Sequence, residues 1–358
     1  MLNYATIVRR IERLGSSFLQ VNPYLLWGLL VSFVVVKNGF RSSELGVTTN
    51  FIPALEVMPE ASSPFQSGPG PFFLGWLLGV TNSQTWILMT SAVLLLALVL
   101  IVPLVKRQPA TQTQLQLVLL AALPVLSTQI SWLGMYDAFL FLGILVWFFS
   151  RSKLMWIIGA LVAASANPEQ LFVAAVCALI VSSTQAFTEY RIRSFILLCS
   201  AILVWLFAQI WFVMSSNAES RAGQLGELFD PSVYAFSKFW PHYVWAIYGA
   251  LWLTVLLVLF SQKSRIQITV ITVGAVVIPL IFAAITLDGP RVLALVTLPL
   301  ALFFIQAVSI HVVSRLSSAR VIAVVTVLLI VVAPMAESGW PAIGPIIVEQ
   351  LPWFPTKT

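Results

Sequence analysis

Apolar residues fall into long runs broken by short polar clusters, and a run of roughly 17–25 apolar residues is long enough to cross a bilayer as a helix. Eleven such runs are legible, at about 22–37, 86–105, 115–134, 136–150, 154–166, 169–183, 194–214, 243–260, 266–286, 292–312 and 320–336. The fourth, fifth and sixth are short; they fit tilted helices, or a hairpin that does not fully cross. The pattern predicts an all-α polytopic membrane protein, one transmembrane domain over residues 1–358.

Charge then orients the runs. With the N-terminus in the cytoplasm and strict alternation, the inner side receives Arg9, Arg10, Arg13, Lys106, Arg107, Arg151, Lys153, Arg191, Arg193, Lys263, Arg265, Arg315 and Arg320. These are thirteen of the nineteen Lys and Arg residues, and every inner segment holds at least two, as the positive-inside rule requires. The first run follows Arg9, Arg10 and Arg13 but has no small-residue cleavage site after it, so it reads as an uncleaved span. Among the acids, only Glu12 and Glu189 fall inside; the others lie at or beyond the outer boundary.

Composition removes the competing classes. Hydrophobic residues make up 59% of the 358 and charged residues 9%, against about 25% charged in soluble domains. The net charge of +6 suggests nucleic acid only until its placement is seen, because the cations sit in small clusters between apolar runs and form no patch. Cys177 and Cys199 both lie inside apolar runs and read as small hydrophobes. No phosphate-binding loop, dinucleotide fingerprint, His-Glu-x-x-His run or nucleophile elbow occurs, and His242 and His311 are assigned to opposite faces.

Two outer loops are expected to be long, at 38–85 and 215–241. Within the first, Pro71–Val80 is apolar but too short to span and is expected to lie along the interface. Four outer-face features could carry chemistry. Glu44, close to Arg41, is placed to act as a general base toward a hydroxyl, or is a solvated loop acid. Asp137 opens a helix, where it serves as a cap or as a site residue. Asn167-Pro168-Glu169-Gln170 is a polar turn whose Asn and Pro suit a helix start. Asp288 and Arg291 flank a Gly-Pro turn, either as a local ion pair or with Arg291 as a phosphate ligand.

These features together resemble the GT-C superfamily of polytopic glycosyltransferases, which use polyprenyl-phosphate sugar donors. The shared parts are a long first outer loop with an early acid (Glu44), an apolar interfacial segment before the second span, an Asp opening a helix (Asp137), and a small-x-Pro-Glu turn at Glu169. The resemblance covers about residues 20–185 and implies sugar transfer to a hydroxyl of a glycan or lipid acceptor on the extracytoplasmic face of a bacterial plasma membrane. It implies Glu44 as base, Arg291 with Arg41 at the departing lipid phosphate, Asp137 and Glu169 hydrogen-bonding sugar hydroxyls or orienting Glu44, and Gln170 and Asp288 among the substrate-binding residues. Glu44 stands alone where an adjacent acidic pair is common, which leaves a divalent cation, Mg or Mn, open. The competing readings are a transporter or flippase of a lipid or small solute, and a non-catalytic membrane subunit.

Overall fold

The computed structural model describes residues 13–17, 19–38, 51, 55, 68–106, 108–131, 133–214, 221–286, 289–313 and 316–332. Among these the architecture is all-helical, with no strand. Most of the described residues of the apolar runs are helical. Four helices are long and apolar enough to cross a membrane, Ser83–Val105, Gln185–Met214, Trp240–Ser261 and Arg265–Ala284, and the number rises to six if two bent pairs each count as one span. The remaining runs form shorter apolar helices.

In chain order the first helices are α1 (Pro23–Asn38), the short α2 (Gly70–Leu77) and α3 (Ser83–Val105). Residues 71–77 of the apolar stretch at 71–80 thus form a helix, and 78–80 lie beyond its end. The start of α3 is fixed by reciprocal capping: the Asn82 side chain accepts from the Thr85 N–H while the Thr85 hydroxyl accepts from the Asn82 N–H. Helices α4 (Ala110–Ala121) and α5 (Pro124–Ser131) form the first bent pair, at 57°. Pro124 opens α5, where a missing N–H costs least.

Next come α6 (Asp137–Phe149), α7 (Lys153–Ala166) and α8 (Pro168–Ser182). Helices α6 and α7 cross through glycine. A Cβ added to Gly143 would fall on the Ala163 backbone nitrogen and the Gly159 carbonyl, and one added to Gly159 would fall on Trp147 and Gly143 backbone. Small residues four apart let two backbones approach this closely, the usual basis of association in lipid, where burial of apolar area gives little.

A 3-10 turn (Gln185–Tyr190) leads into α9 (Arg191–Met214), which is followed by α10 (Arg221–Tyr248) and α11 (Trp252–Ser261). Most of the segment expected as a second long loop, 215–241, is therefore helix from Arg221 onward. Buried Ser232, Tyr243 and Ile247, with partly buried Phe236, repeat at spacings of four and seven and give α10 one packed face. The rings of Phe236 and Tyr243 meet edge-on at 5.0 Å. Prolines 231 and 241 lie inside this helix.

A π turn (Val273–Val277) joins α12 (Arg265–Thr272) to α13 (Ile278–Ala284). The second bent pair, at 49°, is α14 (Gly289–Val296) with α15 (Leu298–Val313); α16 (Leu316–Val332) ends the described chain. At that bend the Thr297 hydroxyl lies 2.8 Å from the Ile247 carbonyl and 2.7 Å from that of Leu293, so it serves backbone acceptors at the break.

Long-range side-chain bonds join residues that the run pattern puts at equal depth. Trp27 Nε1 donates to Leu98 O at 2.9 Å, Gln114 Nε2 to Val21 O at 2.7 Å, and Trp147 Nε1 to Arg193 O at 3.0 Å. Lys37 Nζ donates to Ile330 O, and Gly15 abuts Arg320. The outer surface is apolar along α3 and α9, where Leu88, Leu95, Val99, Leu203, Phe207 and Val213 are exposed. Only 33% of the apolar window of α3 is buried, so most of its oily face has no protein neighbour, as a lipid-facing helix requires.

Candidate functional site

Asp137 is the first residue of α6, behind Tyr136 at the N-cap position. Its carboxylate is almost fully enclosed, with a side-chain exposure of 1%, and Oδ2 accepts from Arg291 Nη1 at 2.9 Å. Arg291, on the first turns of α14, is itself 14% exposed. Arg291 thus pairs with an acid 154 residues back, a partner that neither reading of the Gly-Pro turn supplied. An enclosed pair of this kind is expensive to desolvate and collapses energetically if one partner is lost, so its geometry is strongly enforced.

Both ends of the pair are held by packing. Gly289 lies so close to Tyr243 that an added Cβ would enter the ring, which fixes the start of α14 against α10. The start of α6 is set by Trp86, whose indole Nε1 donates to Gly134 O at 2.8 Å. Gly134 itself has φ +101°, a backbone state that favours glycine. Tyr136 packs into an aromatic cluster with Phe51 at 5.3 Å and Phe72 at 6.2 Å, and both of those rings also contact Trp86. Through Phe51 and Phe72 the first loop and α2 are anchored beside Asp137. The aromatic cluster was not anticipated; its only sequence trace was Tyr136 next to Asp137.

The α7–α8 turn lies at the same end. Asn167 caps α8 by accepting from the Gln170 N–H at 3.1 Å, with Pro168 in the first turn, as its sequence suggested. Glu169 is partly exposed. Gln170 is 8% exposed, and its buried Oε1 accepts no hydrogen bond from the described residues. Gly68 and Gly70 press on Ser165 and Ala166, which docks the entry to α2 on this turn. Helix α8 packs on α14 through Ala174, Val292 and Val296, with Glu169 five residues before the first and Arg291 one before the second. Asp137, Arg291, Glu169 and Gln170 are therefore gathered at one end of neighbouring helices.

Arg41, Glu44 and Asp288 lie outside the described residues. Among the described residues no group of three or more His, Cys, Asp or Glu could hold a metal ion. Chemically, a carboxylate-oriented guanidinium presents a fixed fork suited to phosphate oxygens, and a buried amide acceptor suits a hydroxyl donor. No protein-family model, no curated protein and no solved structure matches the chain.

Proposed function

We propose that the chain crosses the plasma membrane of a bacterium eleven times, N-terminus inside, and transfers a sugar from a polyprenyl-phosphate donor to an acceptor hydroxyl on the extracytoplasmic face. The observation that carries this reading is the enclosed Asp137–Arg291 pair, set beside the Asn167–Gln170 turn and away from the cation clusters. Lys106, Arg151, Lys153, Arg191 and Arg193 sit at the opposite ends of α3, α6, α7 and α9, as an alternating topology demands. In this mechanism Glu44 takes the proton of the acceptor hydroxyl as the sugar–phosphate bond breaks. Arg291, with Arg41, stabilises the charge developing on the lipid phosphate. Asp137 orients Arg291 in place of holding the sugar or orienting Glu44. Glu169 and Gln170 hold sugar hydroxyls, the Gln170 Oε1 as acceptor. The experiment replaces Glu44→Gln and measures surface glycans and lipid-linked sugar turnover beside a deletion strain. Loss in both supports sugar transfer; unchanged glycans in both rejects it.

The second reading is a transporter, and the helix breaks favour it: bends of 57° and 49° and a π turn are where discontinuous helices expose backbone groups to a solute. Purified protein in liposomes separates the two. Translocation of a labelled lipid or solute without any glycosylated product supports transport, and product formation from a polyprenyl-phosphate sugar supports transfer.

A further inference from the structure

A polar cavity lies at the far end of α6 from Asp137. Thirteen residues at about 1.5 Å each separate the two by roughly 20 Å. It has a volume of about 260 Å³, just under the roughly 300 Å³ at which drug-sized sites begin, so it suits a ligand of headgroup size. Its polar lining includes Gln116, Gln306, Arg151, Arg193, Glu189 and Tyr190.

The deep wall is formed by two amides. Gln116, only 1% exposed, donates through Nε2 to Gln306 Oε1 at 2.5 Å. The Gln116 Oε1 is buried and accepts no hydrogen bond from the described residues. A buried amide oxygen without a donor costs on the order of 1–3 kcal/mol, which a hydroxyl-bearing ligand in this cavity would recover. Arg193 is pre-set at the rim: Nη1 donates to Phe148 O and the guanidinium lies over the Trp156 ring at 4.2 Å. Arg151 is exposed at the mouth. Two guanidinium groups call for an anion, and their planar forks match phosphate oxygens. Glu189, the one carboxylate among the described lining residues, accepts well from hydroxyls.

We infer that this cavity binds the phosphate ester of a polyol, with the phosphate at Arg151 and Arg193 and hydroxyls at Gln116, Gln306 and Glu189. The ligand is either the headgroup of an anionic phospholipid entering from the bilayer or a soluble polyol phosphate. This site is separate from the sugar-transfer end and stands or falls apart from it.

The test uses the full chain in two arms. In one, protein in phosphatidylcholine nanodiscs is titrated calorimetrically with glycerol 3-phosphate. In the other, protein extracted from bilayers containing phosphatidylglycerol is examined by native mass spectrometry for retained lipid. Saturable binding in the first arm assigns a soluble ester, and retained phosphatidylglycerol in the second assigns a headgroup. Arg151→Gln, an exposed change that leaves the helices intact, is expected to weaken the bound species about tenfold, the loss of one charge-assisted bond. Gln116→Leu is expected to weaken it by a similar factor. Lys153→Gln removes an exposed cation that does not line the cavity and should leave binding unchanged. Binding in neither arm overturns the site, as does an equal loss in Lys153→Gln and Arg151→Gln, which would mark general charge attraction.

Discussion

The Arg291 guanidinium meets the Asp137 carboxylate at 2.9 Å across 154 residues of sequence, tying the first turn of α14 to the first turn of α6. Because the carboxylate side chain is 1% exposed, water does not readily replace Arg291 as its partner. Asp137→Asn keeps the shape but removes the countercharge, and breaking a buried pair in this way costs about 3–5 kcal/mol. A clear fall in the melting temperature of the detergent-solubilised protein is the expected result. Asp137→Leu combined with Arg291→Met removes both charges and should regain much of that loss, since apolar replacement of a whole buried pair is often neutral. If the double variant is no more stable than Asp137→Asn, the pair is not the source of the cost.

Gly143 and Gly159 set a separate prediction, in the middle of the bundle. Gly143→Ala puts a methyl against the backbone of α7, which no rotamer change can relieve. Overpacking of this kind costs about 1–3 kcal/mol. Gly28 on α1 is the matched control, because an added Cβ there meets nothing within 4 Å. Gly28→Ala should be neutral or gain up to about 1 kcal/mol of helix propensity. Thermal melting of the two variants in the same detergent is the measurement, and equal shifts would contradict the glycine crossing.

The helices were legible because an apolar run has few outcomes in a bilayer, and the described residues of these runs are mostly helical, with four to six helices long and apolar enough to cross. Asp137 and Arg291 were each singled out, yet not as partners. Their pairing depends on α6 and α14 being neighbours, and nothing local to either residue encodes that. Arg291 instead suggested Asp288, three residues away. Residues 215–241 read as loop because five charges and two prolines interrupt their apolar residues. The packed face through Ser232, Phe236, Tyr243 and Ile247 was present in the spacing but masked by that composition. Gln116 and Gln306 are not marked by any motif in the sequence. A lone Gln in an apolar run carries little signal, and their meaning appears only when α4 and α15 bring them to 2.5 Å.

The sidedness of the chain can be tested through two exposed positions at opposite ends of the bundle. Gln84 lies in the first turn of α3, beside the Trp86 that bonds to Gly134 near Asp137. Lys153 opens α7, close to the cavity that Arg151 lines. Cys177 is buried and Cys199 exposed, so both are first changed to Ala to clear the background. In intact cells a membrane-impermeant maleimide should label Gln84→Cys and spare Lys153→Cys, which should react only after the membrane is opened. In the proposed orientation Lys106, Arg151, Lys153, Arg191 and Arg193 would hold the inner side, because each cation resists transfer across the hydrocarbon. Labelling of Lys153→Cys from outside would invert the topology. The Asp137–Arg291 end would then face the cytoplasm, and a donor delivered to the outer leaflet could not reach it.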